Sequence, residues 1–368
     1  MKLKRTLFMC LLLTAMLGVL AACGCGKKDT ESGDTTTEVP VAVSSDVSTG
    51  VVSLLTGEEI DEEYENSRPV AIMIPNDNYG ALPQYGLSYA GVVYEVPVEA
   101  PYTRLMAIFD EAVYKDLQSI GPIRSCRLYY CYFALEFDAI YAHYGESSYA
   151  KSFLNSGEID HMDGLSGTIS SIVYSRDSSR SEPDNVFTSG EKLLAGIEYC
   201  EFRTEYEEGY EGHYNFADEE ITNSDGTVAE IVKPGYSLSE PWFEYNSEDG
   251  LYYRYEYSSA QKDALNGEQI AVKNIIIQAC DYTILESHNT YNFDTLAGGE
   301  GYYITNGTAI HVTWTKSDQN SPAVYYDDAG NEIEINTGNT WVCVVCDDDF
   351  ADIELSAASS EDSTEAAE

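Results

Sequence analysis

The stretch Ile120-Gly121-Pro122-Ile123-Arg124-Ser125-Cys126-Arg127-Leu128-Tyr129-Tyr130-Cys131-Tyr132-Phe133-Ala134-Leu135-Glu136-Phe137-Asp138-Ala139-Ile140-Tyr141-Ala142-His143 runs from a Gly-Pro turn through an apolar segment of helical length into a short apolar run. Ser125 reads as the N-cap of a helix over 127–137, and Asp138 bounds a strand over 139–143. Further out, 70–74, 92–98, 105–109 and 169–174 are short, apolar and flanked by Pro, Gly, Asn or Asp, as strands are. Helices are predicted over 148–154 and 189–199, capped by Ser147 and Thr188. Helices packed on a mixed sheet follow for this half.

The texture changes near 205–235. Beyond it, strand patterns occupy 251–257, 275–280, 301–305, 309–314, 323–326, 332–335 and 341–345. Asn306-Gly307 and Asp328-Ala329-Gly330 lie between them as hairpin turns. The fold class is therefore α+β: an N-terminal α/β domain over 67–205, a connector over 206–235, and a mostly-β domain over 236–350, expected to close as a small sandwich or barrel. A length of 368 residues accommodates two such domains. Residues 23–66 are poor in apolar side chains until Val51 and read as a flexible tether, and 351–368 as a disordered acidic tail.

Residues 1–22 have the form of an export signal. Lys2, Lys4 and Arg5 precede an apolar stretch from Leu7 to Leu20 that is too short to span a bilayer comfortably. It ends in Leu20-Ala21-Ala22-Cys23, a lipobox pattern that makes Cys23 the expected lipidation site, carrying diacylglycerol and palmitate. The competing assignment is an ordinary secretory cut after Ala22. Cys25 fits the pattern less well, because Cys23 and Gly24 precede it. The expected location is the extracytoplasmic face of the cell membrane, with the lipid as the membrane partner.

Sixty-three acidic residues against 20 basic ones give a net charge of −43. Such a surface repels nucleic acid and anionic lipid, so the lipid rather than charge must hold the chain to a membrane. No G-x-S-x-G elbow, Walker loop, dinucleotide glycine fingerprint or H-E-x-x-H helix occurs, and no cofactor or metal is expected. Cys343-Val-Val-Cys346 has redox spacing but lies in a strand-like run, which turns the two thiols to opposite faces. The even number of cysteines in the body of the chain admits disulfides and free buried thiols alike.

In so acidic a chain the arginines carry the information. Of the eight beyond the leader, Arg104, Arg124, Arg127, Arg176 and Arg180 fall within 104–180. Arg124 and Arg127 flank the predicted helix start at Ser125, an arrangement suited to a carboxylate, sulfate or phosphate. The competing assignment pairs them with the chain's own acids. Glu99, His143 and Asp177 follow or close predicted strands, so they could gather at the carboxyl end of the sheet, with His143 as proton carrier and Glu99 or Asp177 orienting it. A packed, hydrogen-bonded histidine is the alternative.

Several ordered motifs resemble the YerB-like bacterial lipoproteins. They are Arg68-Pro69-Val70-Ala71-Ile72-Met73-Ile74, Pro83-Gln84-Tyr85-Gly86-Leu87-Ser88, Val93-Tyr94-Glu95, Glu99, Thr103-Arg104, Ile120 to Ser125, Asp138-Ala139-Ile140, His143 and Arg176-Asp177-Ser178-Ser179-Arg180, followed by Asn306-Gly307, Trp314-Thr315-Lys316 and Gly338-Asn339-Thr340-Trp341. The resemblance covers about 67–347 and implies a two-domain lipoprotein of unknown molecular function. Three places depart from the family pattern. Glycines before Thr-Arg become Ala100-Pro101-Tyr102, Gly-Gly-Ser becomes Gly145-Glu146-Ser147, and Pro-His-Asn becomes Pro183-Asp184-Asn185. The last removes a histidine and weighs against an enzyme. The leading expectation is a surface-tethered module that holds an anionic cell-envelope polymer or peptide in an arginine-lined cleft. A hydrolase or transferase using His143 with Glu99 or Asp177, and an assembly protein docking through C-terminal β edges, are the alternatives.

Overall fold

The computed structural model describes residues 50–285 and 289–358. These all fall within one compact unit beginning at Ser48. The leader and Cys23 lie outside the described residues.

Ten strands form the spine of the main sheet: β1 (Val70–Pro75), β2 (Val92–Pro97), β3 (Thr103–Phe109), β4 (Ile140–His143), β5 (His161–Asp163), β6 (Asn274–Cys280), β7 (Gly299–Thr305), β8 (Thr308–Thr315), β9 (Val324–Tyr326) and β10 (Thr340–Cys346). Their spatial order is β9-β8-β7-β6-β10-β2-β3-β1-β4-β5, with Thr227–Val228 added against β8. The N-terminal part is mixed α/β and the C-terminal part mostly β, as the sequence predicts. The C-terminal strands close by extending the first half's sheet: β10 pairs in parallel with β2 on one side, Val93 opposite Trp341, and with β6 on the other.

β1, β3, β6 and β10 are buried along their whole length. Unbroken apolar runs of this kind belong to strands covered on both faces. Alternate residues feed two cores. Val70, Ile72 and Ile74 face one with Val173, Leu193 and Ile197. Ala71 and Met73 face the other with Tyr129, Tyr130, Phe133 and Phe137. The second core is covered by helix α1 (Leu128–Leu135), the first by α2 (Gly167–Val173) and α3 (Gly190–Cys200). A smaller six-stranded sheet of Ile231–Lys233, Trp242–Asn246, Leu251–Glu256, Ser259–Ala260, Ala271–Val272 and Glu354–Ser356 adds Val232, Phe243 and Tyr252 to the first core.

Several local expectations are corrected. The 169–174 run is helical because Ile169, Ile172 and Val173 recur at the three- and four-residue spacing of a helix face. The N-cap of α1 is Arg127 rather than Ser125, and that of α3 is Ser189, whose hydroxyl accepts from the Lys192 amide. Residues 332–335 make isolated bridges, Tyr326 with Glu332 and Phe216 with Ile335, and no strand. Packed chain also starts before residue 67: Leu55 is buried, and the Ser53 hydroxyl donates to Asp110 at 2.7 Å. Part of the presumed tail is a strand as well, Glu354–Ser356 pairing with Ile231–Lys233.

Candidate functional site

β1 and β2 both run antiparallel to β3, so their carboxyl ends and the start of β3 meet at one edge of the fold. A cleft of about 400 Å³ opens there, lined among others by Asn76, Glu99, Thr103, Arg104, Arg124 and Asp184. The loop before α1 supplies Arg124, because the Arg124 amide donates to the Met73 carbonyl of β1. Gly80 follows the cleft-lining Tyr79 and packs against Asp184, where a Cβ would come within 2.8 Å of Oδ2.

Two arginines share one acid. Arg127 donates through Nε to Glu99 Oε1 at 2.8 Å, and its Nη2 also contacts that oxygen, while Arg104 Nη2 lies 3.7 Å from Glu99 Oε2. Backbone carbonyls take much of what remains: Arg104 Nη1 donates to the Ser125 carbonyl at 2.6 Å and Arg127 Nη1 to the Cys126 carbonyl at 2.9 Å. Ser125 Oγ accepts from Arg127 Nη1 at 3.2 Å, so its hydroxyl serves the guanidinium groups and not the helix end. Burial, then the neighbouring Arg127 charge, lowers the Arg104 pKa to about 10.

Arg124 is held differently. Its Nε lies 3.4 Å from Asp184 Oδ1, yet neither atom has a hydrogen bond and both are buried. Burial pushes the Asp184 carboxyl up against the pull of Arg124, and Asp77 adds to the rise. A donor and an acceptor left unsatisfied side by side are costly unless a third group completes them.

The other sequence candidates lie elsewhere. Arg180 donates to the carbonyls of Gly80, Ala81 and Pro83 and stacks over Tyr85 and Phe187, clasping the loop beside the cleft. Arg176 is shared among Asn185, Glu182 and the Tyr144 ring. Asp177 accepts from the Ser179 amide and hydroxyl in an exposed turn. His143 is fully buried, with Nδ1 2.8 Å from the Gly145 carbonyl and Nε2 3.0 Å from His161 Nδ1. Burial lowers its pKa to about 4. The structure therefore brings Glu99, Arg104, Arg124, Ser125 and Arg127 together, leaves Asp177 in its exposed turn, and buries His143 behind them, where its Nδ1 and the Cys126 amide share the Gly145 carbonyl.

Behind the cleft is a network the sequence reading missed. Glu95 Oε1 accepts from Asn76 Nδ2 at 3.1 Å and Thr103 Oγ1 at 2.9 Å, both cleft-lining residues. Its Oε2 accepts from Arg254 Nη2 at 2.6 Å, and Arg254, fully buried, lies over the Trp341 ring at 4.4 Å and 3.3 Å from Glu256. A signal existed: in 251–256 the inward register holds Tyr252, Arg254 and Glu256, and charges on a core-facing register announce a buried pair.

The sequence places this architecture among known proteins. Residues 55–203 match the N-terminal domain, and 232–342 the C-terminal domain, of a family described as a protein of unknown function, DUF3048. The chain belongs to the DUF3048 family. It is 30% identical over 310 residues to the Bacillus subtilis (strain 168) protein named "Putative lipoprotein YerB", covering 81% of this chain and 87% of that one. The crystal structure of YerB from Bacillus subtilis superposes with a TM-score of 0.72 at 26% identity, over 83% of this chain and all of that one. The relative's name agrees with membrane anchoring, and among the described residues no helix is long and apolar enough to cross a membrane.

Proposed function

We propose that this DUF3048 protein is a lipid-anchored binding module, held through Cys23 at the extracytoplasmic face of the cell membrane, whose cleft receives an acidic group of a cell-envelope polymer or peptide. The observation that carries this reading is Arg124 in the cleft wall, its side chain 29% exposed and its Nε facing Asp184 at 3.4 Å without a hydrogen bond. An acidic ligand would pair with the exposed part of the Arg124 guanidinium, with Arg104 and Arg127 adding positive potential that Glu99 alone does not cancel. With His143 sealed in the core, the module is read as binding without turnover.

The test is a thermal-shift titration with three probes: inorganic phosphate, a short poly(glycerol phosphate), and an N-acetylated tripeptide with a free carboxylate. At least one is expected to raise the unfolding midpoint. Arg124→Gln is expected to weaken that probe about 10- to 100-fold, since a hydrogen bond to a charged group contributes about 1.5–3 kcal/mol. No shift with any probe, or the same affinity in Arg124→Gln, overturns the proposal.

A further inference from the structure

Arg127 caps α1, so Cys126 is the residue just before the cap and Cys131 is the fourth helical residue. Side chains at these two positions meet across the first turn, where apolar pairs commonly staple a helix to the chain entering it. Here both are cysteines. Their sulfurs lie 3.4 Å apart, both residues are fully buried, and both are free thiols. The segment they fix carries Arg124, Ser125 and Arg127, and it is tied down further by the Cys126 amide, which donates to the Gly145 carbonyl.

We propose that Cys126 and Cys131 are a redox-active dithiol, which a disulfide oxidant outside the cytoplasm converts into a covalent staple across the start of α1. One thiol loses its proton and attacks a disulfide RSSR, giving a mixed disulfide and RS⁻. The second thiolate attacks the protein sulfur, closes the Cys126–Cys131 bond and expels the second RS⁻. Two protons and two electrons leave the dithiol and appear in two RSH. Burial raises the Cys131 thiol, so the exchange waits on opening of the first turn, and the closed bond is correspondingly shielded from reductant. The inference is independent of what the cleft binds.

The test uses the full-length chain incubated with oxidised glutathione, blocked with N-ethylmaleimide and digested with trypsin without reductant. Cleavage after Arg124, Arg127 and Lys151 releases Ser125–Arg127 and Leu128–Lys151, which contain Cys126 and Cys131 as their sole cysteines. The expected product is these two peptides joined, two hydrogen masses below their sum and separated by dithiothreitol. Recovery of both peptides as maleimide adducts, or of either bonded to a different cysteine, overturns the proposal. The oxidised wild type is also expected to unfold at a higher temperature than the reduced form, with no oxidant-dependent shift in Cys126→Ser. An unchanged wild-type midpoint overturns the stapling role even where the bond forms.

Discussion

Asp184 stands against Arg124 at 3.4 Å without hydrogen-bonding to it, so it supplies counter-charge while leaving the guanidinium nitrogen unsatisfied. An anionic ligand must compete with that charge. Asp184→Asn is expected to tighten binding of the active probe about tenfold, because removing one opposing unit charge at this range is worth about 1–2 kcal/mol in a partly solvated cleft. Titration calorimetry checks this, and weaker binding would mean that Asp184 holds the ligand instead of opposing it. The arginine clustering was legible because scarce cations in an acidic chain are conspicuous. For His143 the packed, hydrogen-bonded alternative holds, but position at a strand end does not say which carbonyl its ring meets. His213 shows the same limit: it stacks on Phe137, and burial and then the Lys316 charge lower its pKa to about 3. Its folded form stays neutral while the unfolded imidazole protonates near 6.5, so the unfolded state binds more protons between those values and stability falls as pH drops through that window. His213→Phe keeps the stack and removes the titration. Its unfolding midpoint is expected to fall less than the wild type's between pH 6.5 and 4.5, measured by thermal denaturation at each pH.

Among the elements, the turn of the β7–β8 hairpin was readable to the residue, and α2 was not. Asn306 and Gly307 have φ of 48° and 76°, the left-handed pair that a two-residue hairpin demands and that this dipeptide supplies. Tertiary contacts reinforce the turn, because a Cβ on Gly307 would press to 3.0 Å of the Tyr245 ring. Gly307→Ala is therefore expected to cost about 1–2 kcal/mol through strain at positive φ with little relief available, read as a lower midpoint in chemical denaturation. The 169–174 run misled because Ile-Ser-Ser-Ile-Val fits both a short buried strand and a helix face. Contact of Val173 with α3 and β5 settles it, through the close approach of Gly196 to Val173 and Met162. Such contacts are absent from a local pattern.

For the whole molecule, the fold class was legible and the closure of the C-terminal half was not, because nothing local to 340–346 says that its partner is β2, more than two hundred residues earlier in the chain. The Glu95–Arg254 pair fastens the same seam from within: the acid is on β2, the arginine on the smaller sheet, and Trp341 of β10 lies beneath. Neither side chain is exposed, so removing one leaves a buried uncompensated charge. Arg254→Met is expected to cost about 3–5 kcal/mol, and adding Glu95→Gln to recover part of that loss, in contrast to two independent sites whose costs would sum. The shared sheet also fixes how the chain unfolds. Trp242, Trp314 and Trp341 all belong to the second half, so their fluorescence reports it, while hydrogen exchange at β1 and β3 reports the first. Both signals are expected to move at one denaturant midpoint, because losing β10 strips β2 of its neighbour and exposes both cores together. Two separated transitions would mean that the halves fold as autonomous domains and that the β2–β10 seam merely docks them.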